Sequence, residues 1–484
     1  MDGSGVVEAR VVTPIGHRAT ERHPVAAAVR AVGWLAAALL CQPVVSVPAQ
    51  TAAAGRYPQA LALATFDSAW TRIRDTHYDT AFNGVDWGAV RTELRPRAAG
   101  SQSVGELRAI LREMLGRLGE SHYGLIPGEA ASAIESGARN RDDGSGPPGD
   151  LGLELRLVEG RLAVLRVDPE GPAAAAGVRP GWLVRSIAEF EADPAIRNVL
   201  SIEDEVARRS ALTQLLFGAN SRLEGTAGVR LRIEFVDAGD RATDLLLTRR
   251  ARPGAPVRFG NLPTFFARLS HEQIGEGADC VGVIRFNVWM VPLAPEFDRA
   301  LDQLRGCRGI IIDLRGNPGG VAGMVMGVAG HFFSEPVALG TMRSRGARLN
   351  FVANPRRVSA SAETVEPFAR PLAVLIDPLS VSTSEIFAGG LQAVGRARIF
   401  GENSAGQALP ATLLRLPNGD VLMHVVADFT MPGGIRIEGR GVRPDVEAPL
   451  RRADLLAGID ASLDAAVRWI RASDGGARTE HSHR

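Results

Sequence analysis

The chain has 484 residues, enough for two to four domains, and 45% of them are hydrophobic, so sizeable cores can form. Its formal charge of +1 shows no excess of basic residues for a nucleic acid or other polyanion. Three cysteines, Cys41, Cys280 and Cys307, fit no zinc spacing, and no metal or cofactor is expected. The 55 basic residues are all arginine, which excludes any chemistry that needs a lysine.

Residues 1–50 combine arginines (Arg18, Arg22, Arg30), the apolar run Ala31 to Leu40, and Pro43, Pro48 and Ala49. That order predicts a leader and signal peptide, cleaved near Ala49, and hence export to a periplasmic or extracellular location. The run is short for a membrane span, so membrane contact is expected only if the signal stays uncleaved. Residues 56–128 read as a helical domain, with stripes Leu63-Phe66-Trp70-Ile73 and Leu107-Ile110-Leu111-Met114-Leu115-Leu118. The second stripe runs into Gly119-Glu120-Ser121-His122-Tyr123-Gly124. Residues 129–149, rich in Gly, Ser, Asp and Pro, read as a flexible linker.

Residues 150–250 read as short strands, with alternation at Leu153-Leu155-Leu157 and Leu231-Ile233-Phe235 and a long insertion over 191–224. The stretch from Gly171-Pro172 through Gly177-Val178-Arg179-Pro180-Gly181 resembles a PDZ domain. Gly149-Asp150-Leu151-Gly152-Leu153 would then be its carboxylate-binding loop, taking the free C-terminus of a peptide or protein substrate. Trp182 departs from the acidic residue usual at that point. The alternative is a small β-domain that only packs against the core.

Residues 276–450 alternate strands and helices: Val281 to Phe286, a helix carrying Phe297, Ala300, Leu301 and Leu304, and Gly309 to Leu314. A loop Arg315-Gly316-Asn317-Pro318-Gly319-Gly320 and an apolar helical run, Val321 to Phe333, follow. Then come the strand Leu372 to Asp377, a serine-rich turn, and a helix with Ile386, Phe387, Leu391 and Val394. This order predicts a mostly parallel, covered sheet. A closing helix (451–473) and a polar tail (474–484) end the chain. Cys280 and Cys307 each precede a strand of that sheet, which makes them a candidate disulfide in an exported protein; the alternative is two buried thiols.

Ser382 stands where strand turns into helix, beside backbone N–H groups that can stabilise an anion. A serine there is a candidate nucleophile. Ser382 and Glu385 also read as a capping box. A nucleophilic serine needs a base, and lysine is absent. Of His77, His122, His271, His331 and His424, only His122 sits in a glycine-flanked loop beside a hydroxyl, Ser121. Acidic partners for it include Glu402, Glu438 and Asp445.

The motifs Asp313 to Gly320, Ser382 to Ile386, Gly401-Glu402-Asn403-Ser404-Ala405-Gly406 and Gly439 to Asp445, in this order, resemble the S41 serine peptidases, which include the C-terminal processing and tricorn peptidases. The resemblance implies a ClpP/crotonase-like α/β core with an N-terminal helical domain and a PDZ-like β-rich domain. At the family's lysine position stands Gln407, so a Ser–Lys dyad is absent. The tricorn-type arrangement implies Ser382 as nucleophile, His122 as base, and Ser121 with Glu438 as its orienting partners. The oxyanion hole would come from Thr383 and the Gly319-Gly320 backbone. The implied function is hydrolysis of peptide bonds, with a pH dependence in the histidine range. The alternatives are a non-catalytic peptide- or ligand-binding protein and a scaffold on the same fold.

Overall fold

The computed structural model describes residues 57–129, 146–257 and 264–473. The expected signal peptide and leader, most of the linker and the polar tail lie outside them. No helix among the described residues is long and apolar enough to cross a membrane.

The N-terminal unit has three helices, α1 (Gln59–Thr76), α2 (Trp87–Ala99) and α3 (Val104–Gly116). Asp86 and Ser103 cap α2 and α3 by accepting the N–H groups of Ala89 and Glu106. The apolar stripes meet in one core, with Phe66, Ile73, Leu107 and Leu111 fully buried. A short strand, β1 (Gly124–Ile126), leaves this unit and joins the core.

The second unit is an antiparallel sheet of β2 (Leu153–Val158), β3 (Arg161–Val167), β4 (Leu183–Ile187), β5 (Arg230–Val236) and β6 (Ala242–Thr248), in that order. The 191–224 insertion folds as two helices, Ala192–Leu200 and α4 (Glu205–Leu223). Leu215, Leu216 and Ala219 of α4 pack into the core of this unit.

The third unit holds a six-stranded sheet. Its order is β7 (Leu269–Ile274), β8 (Val281–Phe286), β9 (Gly309–Asp313), β10 (Leu372–Ile376), β11 (Arg398–Gly401) and β13 (Val446–Glu447). β7 is antiparallel to β8, and the other neighbours run parallel. β9 and β10 are buried along their whole length, which explains their unbroken apolar sequence. Helices α5 (Ala294–Leu304), α6 (Thr383–Ala393) and α7 (Ala461–Ala472) cover the sheet. The expected closing helix is in fact two helices. Gly458, at φ +73°, breaks it, and Asp460 caps the second piece through the Leu463 N–H. The helical run from Val321 shortens to Met324–Ala329 and a 3₁₀ turn over Gly330–Phe332. A disulfide joins Cys280 and Cys307, which lead into the adjacent strands β8 and β9.

Two joints position the site. β1 pairs antiparallel with β12 (Val421–Val425), Gly124 opposite Met423, which fixes the chain just after His122. β9 and β10 are parallel neighbours, so the loops leaving their carboxyl ends lie side by side. One loop is Arg315 to Gly320; the other carries Ser382.

Candidate active site

Ser382 sits between β10 and α6 with φ 64° and ψ −117°, a conformation that L-residues rarely adopt. Such a strained strand-to-helix turn pushes a side chain out of the regular backbone path. The surroundings hold it there. The Ser382 N–H donates to Glu385 Oε2 at 2.9 Å, in the capping box that the sequence suggested. The Ser384 hydroxyl donates to the Asn317 carbonyl and accepts from Trp289 Nε1. The Thr383 hydroxyl donates to the Gly320 carbonyl at 3.0 Å. Ser382 is fully buried, yet its Oγ has no hydrogen-bond partner among the described residues. A buried hydroxyl left unpaired costs about 1–3 kcal/mol, so its retention calls for an explanation.

The Asp313-to-Gly320 loop forms the wall opposite Ser382. Asp313 and Arg315 make a two-bond ion pair at 2.9 and 2.8 Å, and Arg315 continues to Asp460. Burial pushes the Asp313 carboxyl up, but the charges of Arg315 and Arg285 and the hydrogen bonds from Arg315 together outweigh it and hold the pKa at about 2. These two residues shape the loop. Gly319 lies so close to Ser382 that a Cβ on it would come within 2.8 Å of both Cβ and Oγ of the serine. The Gly319 N–H is already donated to Asn317 Oδ1 at 3.0 Å. Of the backbone donors singled out from sequence, that of Gly319 is therefore already engaged.

His122 is in the left-handed region, φ 61°, in the turn between Gly119 and β1. Its Nδ1 is 2.7 Å from Ser121 Oγ. The Ser121 N–H donates to Glu438 Oε1 at 2.9 Å. Glu438, Ser121 and His122 thus form one chain across 317 residues of sequence. Ser382 Oγ has no hydrogen-bond partner among the described residues. Burial lowers the His122 imidazole to about 3, although part of the residue still reaches the surface. Burial raises Glu438 to about 7 against the hydrogen bonds it accepts from Ser121 and Ala408. Glu438 makes no ion pair with Arg436, which instead holds Asp428 and Glu120.

Several residues that sequence patterning passed over complete the site. Glu120 is buried beside Ser121. It accepts from His77 Nε2 at 3.1 Å, from the Tyr78 hydroxyl at 2.5 Å and from Arg436 at 3.1 Å. Burial pushes its carboxyl up, but those three hydrogen bonds outweigh it and keep the pKa below the usual glutamate value. So the end of α1 and the Glu438 loop both grip the turn that carries His122. Glu385 accepts from Ser404 Oγ and from the N–H groups of Gly406 and Gln407. The Gln407 side chain turns to Ser210 of α4 at 3.2 Å, and Arg209 of α4 donates to the Arg440 carbonyl at 2.7 Å. The inserted helix thereby braces both loops. Glu120 neighbours Ser121, the one local sign of its place; nothing in the pattern around Arg209 and Ser210 marked theirs.

A cavity of about 590 Å³ opens beside this wall, between the second unit and the core. Its lining reaches from Asp150-Leu151-Gly152-Leu153 to Gly316 and Pro318. Gly149 pairs between the Gly225–Thr226 and Arg250–Ala251 strands, where a Cβ would meet Ala227 Cα and the Arg250 carbonyl at 2.7 Å.

Residues 280–448 match the model of peptidase family S41, and residues 59–116 match the tricorn protease C1 domain. A carboxyl-terminal-processing protease of Synechocystis sp. is 26% identical over 85% of this chain and 88% of its own length. Carboxyl-terminal-processing peptidase 2, chloroplastic, of Arabidopsis thaliana is 27% identical over 79% of this chain and 68% of its own. Among solved structures, the photosystem II D1 C-terminal processing protease superposes with a TM-score of 0.54 at 21% identity, covering 86% of this chain and 98% of that one. At that identity the likeness speaks for the fold.

Proposed function

We propose, from the premise that this chain belongs to peptidase family S41 and is a serine-type hydrolase, that it is exported and cleaves peptide bonds with Ser382 as nucleophile and His122 as base. The observation that carries this reading is the strained, buried Ser382 whose Oγ is kept without a partner. A catalytic assignment explains why the turn holds Ser382 at φ 64° and ψ −117°; the capping box with Glu385 by itself does not require that strain.

In the proposed reaction Ser382 Oγ attacks the scissile carbonyl carbon and its proton passes to His122 Nε2. Nδ1 cannot take it while it faces Ser121 Oγ. Ser121 and Glu438 orient the ring and favour the imidazolium formed during attack. The oxyanion is held by the N–H groups of Thr383 and Gly320, with Gly319 providing the close approach. The imidazolium gives its proton to the leaving amine, and water then releases the acyl group by the same route in reverse. The reading requires His122 Nε2 to come within hydrogen-bond reach of Ser382 Oγ once substrate is bound. Gln407 has no role in proton transfer; its amide cannot accept the proton at neutral pH.

The 150–250 unit acts in this reading as a PDZ-like domain that takes a free substrate C-terminus at Gly149 to Leu153. The cavity joining that stretch to Gly316 and Pro318 supports it. Export is supported by the leader pattern of residues 1–50 and by the Cys280–Cys307 disulfide. The test is labelling by a fluorophosphonate. The wild-type chain should be labelled and Ser382→Ala should not, with circular dichroism unchanged. Equal labelling of both would remove Ser382 from the mechanism.

A further inference from the structure

The 590 Å³ cavity is walled by six arginines and four acids. Five of the arginines hold a carboxylate. Arg156 is bound to Asp377 at 2.6 Å, Arg166 to Asp313 at 2.9 Å, Arg252 to Glu224 at 2.6 Å, Arg285 to Glu154 at 2.6 Å and Arg315 to Asp313 at 2.8 Å. The remaining two acids in the wall, Asp150 and Asp168, both pair with Arg250. Arg268 is the exception: it makes no direct ion pair and no side-chain hydrogen bond to a described residue, although its charge is felt by Glu154, Asp168 and Glu224.

Its position is nevertheless fixed. Its N–H donates to Asn287 Oδ1 at 2.8 Å and its carbonyl accepts the Asn287 N–H at 3.2 Å. Its stem lies against Gly254, where a Cβ would come within 2.6 Å of the arginine Cγ. Arg166 adds a second unmet donor, because its Nη1 is buried without an acceptor. Phe217, Leu223 and Phe265 supply apolar wall nearby. A guanidinium in such partly apolar surroundings gains most from a carboxylate, which satisfies charge and hydrogen bonds together.

The cavity also lies where a substrate tail would have to run. One end is the Leu151-Gly152-Leu153 stretch, and the other is Pro318, next to the glycine that touches Ser382. We propose that Arg268, with the free Nη1 of Arg166, forms a subsite that selects an acidic side chain in the C-terminal tail of the substrate, between the scissile bond and the free carboxylate. This rests on the reading of the chain as a peptidase that takes a free C-terminus. It names a substrate class: proteins whose removed tail carries an aspartate or glutamate.

The experiment uses the full chain and a set of fluorogenic peptides with a free C-terminus. Each tail position carries Glu, Gln or Lys in turn, and kcat/KM is measured for each. Glu should exceed Lys at one or two positions by about tenfold, equivalent to about 1.4 kcal/mol. The difference should sit mainly in KM and shrink as salt is raised. In Arg268→Met the Glu/Lys ratio should fall to near one, and Arg268→Lys should retain part of it. Cleavage of all peptides at equal rates by the wild-type chain overturns the subsite without any variant. A preference that survives in Arg268→Met does the same. Failure to cleave any peptide, in a chain that fluorophosphonate still labels, would instead sink the tail-recognition reading and this inference with it.

Discussion

Glu385 and Glu438 accept the adjacent backbone N–H groups of Gln407 and Ala408, at 3.0 and 2.9 Å. Glu385 also holds the Ser382 N–H, and Glu438 holds the Ser121 N–H next to His122. A single loop, Ser404 to Ala408, therefore ties the Ser382 turn to the His122 turn. The two carboxylates feel each other's charge, which adds to the effect of burial in raising Glu438.

The pH dependence follows from those carboxylates rather than from the imidazole. The mechanism needs neutral His122 and ionised Glu438. With burial holding His122 at about 3, it stays neutral throughout the working range. Glu438, raised by burial to about 7, gains its proton as the pH falls through that value. So kcat/KM should drop on the acid side near pH 7, and Glu438→Gln should be slower but lose that limb. His122→Ala should lose orders of magnitude in kcat while retaining substrate affinity. An acid limb unchanged in Glu438→Gln would return it to the histidine. The same raised pKa affects folding. Its stabilising share is complete below the ordinary value of 4.5 and is lost as the pH rises through about 7.

Gly319→Ala tests the close approach to Ser382. Gly319 has φ +98°, and its new Cβ would overlap Ser382 at 2.8 Å. Either the serine or the loop must move. Fluorophosphonate labelling should slow by at least about tenfold, since a misplacement of about 1 Å can cost 10²-fold. Wild-type labelling rates would show that the wall yields freely.

Glu120→Ala tests the grip on the His122 turn. It would leave His77, Tyr78 and Arg436 without their shared acceptor. Removing one partner of a buried pair costs about 3–5 kcal/mol, and the low end applies here because Arg436 is 38% exposed. Urea unfolding should show a loss near 3 kcal/mol. Glu120→Gln should lose less stability yet still lower kcat, since the neutral amide binds Arg436 weakly. A change below about 0.5 kcal/mol in Glu120→Ala would mean that the cluster does not hold the turn.

The Cys280–Cys307 bond closes a loop with a sequence separation of 27. Constraining the unfolded chain over that length is worth about 3–4 kcal/mol by loop-closure entropy. The Cys280→Ser, Cys307→Ser double variant should unfold at correspondingly lower urea. Thiol titration of the denatured, unreduced wild-type chain should find neither cysteine free.

The sequence by itself determined what is local. The unbroken run Leu372 to Ile376, the serine turn and the helix after it are spelled out within some twenty residues, so strand, turn and helix were legible. The α/β order and the fold class followed from the same alternation, and the absence of lysine excluded a Ser–Lys dyad outright. The chain breaks that depend on a single glycine were less legible. Gly458 divides the closing helix because the backbone there takes φ +73°, and apolar periodicity does not record a dihedral angle.

Only the tertiary structure decided what joins distant segments. Residues 121 and 438 meet because β1 pairs with β12 and two turns converge, and neither turn names the other in sequence. Glu120 could be recognised as a buried clamp only once α1 delivered His77 and Tyr78 to it. Gly319 could be separated from Gly320 as a donor only when its N–H was found on Asn317. Arg268 reads in sequence like any of the other arginines. Its difference is that the carboxylates around it, Glu154, Asp168 and Glu224, are each paired directly with another arginine.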